Sequence, residues 1–60
     1  MGKRQVFYDD AGNELASYVM ESGDLYLEIK NGDKLSTIIL DKVDAVLFIM
    51  DLYRMRKRLE

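Results

Sequence analysis

The side chains best equipped to act on a partner are aromatic and cationic: Phe7 and Tyr26, with Lys30 and Lys34 nearby and Ile38 beside them. Aromatic rings stack on unpaired bases while cations follow the phosphates, and each stacked base contributes about 1–3 kcal/mol. Arg54 and Arg58, near the end of the chain, extend the positive charge. The same Phe7, Tyr26 and Ile38 would also serve as apolar anchors for another protein. Reaction chemistry has far less to draw on. The chain has no histidine and no cysteine, so the commonest general base, the thiol nucleophile and the usual zinc ligand sets are missing. Ser17, Ser22 and Ser36 have no activating partner in the sequence. Asp9 with Asp10, and Asp41 with Asp44, are acidic pairs, but one falls in a turn and the other at a helix start, where carboxylates serve structure. "DAGNE" lacks the long series of oxygen ligands of a calcium loop, and "DDAGNE" lacks the glycine spacing and lysine of a phosphate-cradling loop. These residues point to binding without catalysis, and to no metal and no cofactor.

Charge is unevenly spread. Residues 1–51 carry five basic and ten acidic side chains, whereas residues 52–60 carry four basic and one acidic. The body is acidic and the tail basic. A basic tail suits phosphates or an acidic partner, and cations at a helix C-terminus also complement the helix dipole. The longest apolar run, Ala45 to Met50, is far shorter than the roughly 20 residues that span a bilayer. The Met1-Gly2-Lys3-Arg4 start runs into a strand-like segment with no apolar leader, so the expectation is a cytoplasmic protein without a membrane partner.

Three glycines set out the elements that must position these residues. Gly12, Gly23 and Gly32 sit in "DDAGNE", "ESGD" and "KNGDK", each beside the Asp, Asn or Ser of a tight turn. Between them lie runs rich in aromatic, β-branched and other apolar residues, predicting strands over 4–9, 14–21, 25–30 and 34–40. The connections are too short for crossover helices, so the sheet is expected to be an antiparallel meander. Asp41 is a good N-cap, and a helix over 42–59 follows. The fold class is α+β: a four-stranded antiparallel meander followed by one C-terminal helix, in a single domain.

Turn lengths then assign the faces. A three-residue loop at Lys30-Asn31-Gly32 would set Leu27 opposite Leu35, and a two-residue Ser22-Gly23 turn would set Tyr18 opposite Leu27. Leu25, Leu27 and Ile29 would then share a face with Leu35, Thr37 and Ile39. A loop at Asp10-Ala11-Gly12 sets Val6 and Tyr8 on one face with Glu14 and Ala16, and Phe7 on the other with Leu15; either set can be the inner one. The second sheet face is assigned Phe7, Leu15, Val19, Tyr26 and Ile38 with Lys30 and Lys34, a patch large enough to mark a binding surface.

The helix poses a separate problem. At 100° per residue it carries two apolar stripes. Ala45, Phe48, Ile49, Leu52, Met55 and Leu59 are expected to cover the sheet. Val43, Val46, Met50 and Tyr53 are expected to meet a second copy. A chain of this length buries only about 60% of its unfolded surface, and a homodimer is the remaining common support once disulfides and zinc are excluded. Removing a further ~400 Å² of apolar surface per chain would give roughly 10 kcal/mol of gross stabilisation. A deeply curled sheet around the helix, or a tetramer closed through the outer sheet face, would meet the same need.

The run "LYLEIKNGDKLSTIILDKVDAVLFIMDLYRM", with a strand ending "IIL" directly before a capped helix, resembles the last hairpin, last strand and helix of the Whirly, Pur-alpha and transcriptional positive-coactivator type of single-stranded nucleic-acid-binding domain. The likeness is one of organisation and covers roughly residues 5–59. It implies a dimer whose curved sheets grip unpaired strands, as a transcription or replication accessory factor. The acidic body favours the rival class, a protein-interaction module such as a dimeric adaptor or a phage-type inhibitor.

Overall fold

In the computed structural model, which describes residues 3–59, the chain forms β1 (Gln5–Tyr8), β2 (Glu14–Val19), β3 (Leu25–Asn31), β4 (Lys34–Leu40) and then α1 (Lys42–Leu59). The strands make one antiparallel sheet in the order β1-β2-β3-β4. The expected α+β meander with a C-terminal helix is therefore the observed fold. Readings placed on Met1, Gly2 and Glu60 lie outside the described residues.

Two hairpins share one turn design. Asp9 N–H donates to the Asn13 carbonyl at 3.0 Å and Gly12 N–H to the Asp9 carbonyl at 3.1 Å; Met20 N–H donates to the Asp24 carbonyl at 2.8 Å and Gly23 N–H to the Met20 carbonyl at 2.9 Å. Both loops thus hold three residues and end on a glycine with positive φ, 86° at Gly12 and 92° at Gly23, which a side chain would strain. The third hairpin turns on Gly32 and Asp33 alone, with Asn31 opposite Lys34.

These loops correct the expected registers. The Ser22-Gly23 turn gains Glu21, so Tyr18 stands opposite Tyr26 instead of Leu27. The expected Lys30-Asn31-Gly32 loop is instead the two-residue Gly32-Asp33 turn, so Leu27 stands opposite Ile38 instead of Leu35, three residues further along β4. One slip is of one residue and the other of three, and an odd slip turns the strand over. The two slips cancel on β4 and leave β3 alone inverted relative to expectation. Tyr26 and Lys30 therefore lie on the opposite face from Phe7, Leu15, Val19, Lys34 and Ile38. The first hairpin has the expected register, with Val6 opposite Ala16 and Phe7 opposite Leu15.

The helix starts one residue after β4. Asp41 caps it: its carboxylate accepts from Asp44 N–H at 2.9 Å, and its carbonyl from Ala45 N–H at 2.8 Å. The stripe expected to cover the sheet does not do so. Ala45 is buried, but Phe48, Ile49, Leu52, Met55 and Leu59 are all exposed, as are Val43, Val46, Met50 and Tyr53. A one-residue link and a fixed cap set the exit direction of α1, so only its first turns reach the sheet, chiefly at β4. Among the described residues the buried apolar set is Ala16, Leu25 and Ala45, and no large side chain is fully buried.

Candidate binding faces

The register sorts the strand residues into two unlike surfaces. The first, here the apolar face, carries Phe7, Leu15, Val19, Leu27, Ile29 and Ile38, and the one charged side chain in its strands is Lys34. Leu25 is buried and Leu40 half-buried at the end of this face nearest the helix, while Phe7 at the other end is 64% exposed. There Phe7, Leu15, Ile29 and Asn31 line a shallow hollow of about 340 Å³ with Asp9 and Asn13 of the first turn.

The second, here the tyrosine face, carries Tyr8, Tyr18 and Tyr26 on three successive strands, with Lys30, Glu14, Glu28, Leu35 and Ile39. Its centre is tied together. The Tyr18 and Tyr26 rings lie 4.9 Å apart between centroids, tilted by 35°. Tyr26 Oη donates to Glu28 Oε1 at 2.8 Å, and the Arg4 guanidinium pairs with Glu28 Oε2 at 3.2 Å. Accepting the phenol proton, with partial burial and the Glu28 charge adding to it, pushes the Tyr26 pKa up from its ordinary value. Ala16, beneath this network, is 1% exposed, and Tyr8 at the rim is 66% exposed.

The residues singled out in the sequence are thus divided. Phe7, Lys34 and Ile38 share the apolar face; Tyr26 and Lys30 share the tyrosine face. Arg54 and Arg58 line a hollow of about 290 Å³ on the helix with Asp51 and Met55, and Arg54 pairs with Asp51 at 3.4 Å. Arg56, not singled out before, sits over the Tyr53 ring at 5.5 Å, a cation–π contact whose spacing of three residues on a helix is its sequence signal. The Tyr18–Tyr26 pair and the Arg4–Glu28 pair were also missed, since they depend on the inverted strand.

The acidic turn has a structural use. Asp9 Oδ1 accepts from the Ala11 and Asn13 backbone N–H groups at 2.9 Å each, and Oδ2 accepts from Asn13 Nδ2 at 3.0 Å. The Asn13 side-chain and backbone bonds, with smaller help from Ala11 and Gly12, hold the Asp9 carboxyl below its ordinary pKa. Asn13 Oδ1 in turn accepts from Gly32 N–H at 3.0 Å, linking the first turn to the third. Among the described residues, no group of three or more His, Cys, Asp or Glu is placed to hold a metal ion, and no helix is long and apolar enough to cross a membrane.

The surface total is the most telling quantity. The chain exposes 5358 Å², whereas a folded monomer of its 7.0 kDa mass is expected to expose roughly 4,000 Å². The excess, about 1,300 Å², exceeds the roughly 800 Å² that each partner buries in a standard protein interface. The class defined by this geometry is a ββββα meander with an unpartnered helix. No known protein family, curated protein or solved structure matches the chain.

Proposed function

We propose that the protein is a non-catalytic cytoplasmic binding module that works as a homodimer, burying its apolar face and helix stripes between two copies and offering its tyrosine face to single-stranded nucleic acid. The observation that carries this reading is the sorting of side chains: apolar groups with Lys34 as the one charge on one face and an uncovered apolar helix, against three tyrosines with Lys30 and Arg4 beside Leu35 and Ile39 on the other. Val43, Val46, Met50 and Tyr53 supply the helix part of the subunit contact. Tyr8 is free to stack on a base, Lys30 to meet a phosphate, and the basic last turn of α1 (Arg56, Lys57, Arg58) to extend the cationic track. In this role the protein would serve as a transcription or replication accessory factor, as the resemblance to single-strand-binding regulators implies.

One observation favours a second reading. Glu28 places a carboxylate at the middle of the tyrosine face, and the whole chain carries a net charge of −2. Both oppose phosphates and suit a protein partner docked on the same tyrosines. Fluorescence anisotropy with labelled single-stranded and duplex oligonucleotides, at low and physiological salt, separates the two. Single-strand preference that weakens with salt, and falls about 5- to 150-fold in Tyr8→Ala as the loss of one stacked base at 1–3 kcal/mol requires, supports the nucleic-acid reading. No binding at low salt transfers the tyrosine face to a protein ligand.

A further inference from the structure

The two edges of the sheet are built on different plans. β1 spans only Gln5–Tyr8, follows directly on Arg4, and ends in the Asp9 turn, features that blunt an edge. β4 runs from Lys34 to Leu40, and beyond Lys34 it reads Leu-Ser-Thr-Ile-Ile-Leu, with no charge, no proline and no bulge. Every residue from Lys34 to Ile39 is exposed, with Leu35 at 59% and Ile39 at 53%. The tight turn makes Asn31 and Lys34 a hydrogen-bonded pair, so by ladder alternation Ser36, Ile38 and Leu40 address β3. The backbone groups of Leu35, Thr37 and Ile39 then point outward, with no strand beside them.

We propose that this edge pairs with itself: two copies join through antiparallel β4–β4 contact across a two-fold axis at Thr37, making one continuous sheet. The inference rests on the homodimer reading above and specifies how the copies meet. The strand is complementary to its own reverse. With Thr37 opposite Thr37 of the second copy, Leu35 stands opposite Ile39 and Ser36 opposite Ile38, matching apolar to apolar on the tyrosine face. Lys34 stands opposite Leu40, so the two lysines avoid each other. Moving the axis to Leu35 would draw the Gly32-Asp33 turn into the ladder, and moving it to Ile39 would draw in Asp41, whose carboxylate is committed to the helix cap. Only the Thr37 axis uses the whole strand. Pairing also removes the unguarded edge and leaves the short, Arg4-flanked β1 at each end, so the assembly closes as a dimer.

A single engineered thiol tests this, because the chain has no cysteine of its own. Hydrogen-bonded antiparallel partners have Cα atoms about 5.5 Å apart, inside the roughly 4.4–6.8 Å range of disulfides. Thr37→Cys is therefore expected to form a disulfide-linked dimer under mild oxidation at least tenfold faster than Ser36→Cys, whose counterpart lies on the diagonal at about 7–8 Å. Amide exchange on the unaltered protein gives an independent readout: the Leu35, Thr37 and Ile39 N–H groups should be protected as well as those of Ser36 and Ile38. A dimeric mass in solution with equal linking rates and unprotected outward amides overturns β4 pairing and leaves a dimer held by helix and apolar face alone. A monomeric mass at all concentrations overturns both.

Discussion

The turn end of the sheet and the helix represent opposite ways of being stable. At the turn end, Asp9, Asn13 and Gly32 satisfy one another through side-chain and backbone bonds of 2.9–3.0 Å, within one chain. The helix is locally well made, capped by Asp41 and basic in its last turn, yet it buries Ala45 alone among its side chains. In proteins most helical stability comes from packing an apolar face against other structure. Local signals can therefore specify an element completely while leaving its apolar side chains uncovered by the chain that carries them.

Disturbing the helix should have the largest effect. Val46→Asp or Met50→Asp places a carboxylate in the proposed subunit contact; a cost of about 3 kcal/mol is roughly a hundredfold rise in dimer dissociation constant. Sedimentation and circular dichroism should show loss of mass and of helix together; an unchanged mass would remove the helix from the interface. Disturbing the turn end should act within the chain. Asn13→Ala removes its side-chain bonds to Asp9 and Gly32 and is expected to cost about 1–2 kcal/mol, a fall of about 4–8 °C in Tm per kcal/mol, with the mass in solution unchanged. Asp41→Ala should cost about 1 kcal/mol by uncapping α1, read as frayed helical signal with the sheet unaltered.

The smallest effect is with pH. The Asp9 carboxyl is held below its ordinary pKa, so its contribution is present above about pH 4 and is lost as pH falls through the lower folded value. Tyr26 is shifted upward, so its hydrogen bond to Glu28 is present below about pH 10 and is lost as pH rises through the higher folded value. Thermal melts should be flat between these limits. Asp9→Asn should flatten the acid limb, and Tyr26→Phe the alkaline one.

The legible parts of the fold are those written in local sequence. Glycine spacing marked every turn, and Asp41 marked the helix start. The first hairpin register followed from Asp10-Ala11-Gly12 because its loop holds the expected three residues. The inversion of β3 came from loops placed differently by an odd number of residues, with Glu21 counted into the second loop, and Lys30 and Asn31 counted out of the third while Asp33 is counted in, a difference that turn composition does not encode. "Glu-Ser-Gly" and "Asn-Gly-Asp" each support more than one loop length. That inversion broke up the candidate site, moving Tyr26 and Lys30 away from Phe7, Lys34 and Ile38. The separation of α1 from the sheet was equally out of reach, since amphipathic periodicity says which stripe seeks cover and not which chain supplies it.

The bond from Gly32 N–H to Asn13 Oδ1 ties together groups 19 residues apart in sequence. β2 and β3 lie between them along the chain, so the bond closes only after the second hairpin has brought the first and third turns to the same end of the sheet. In kinetic terms it is a latch that fastens late. The exchange rate of the Gly32 amide therefore records, in one resonance, how often that latch between the first and third turns opens.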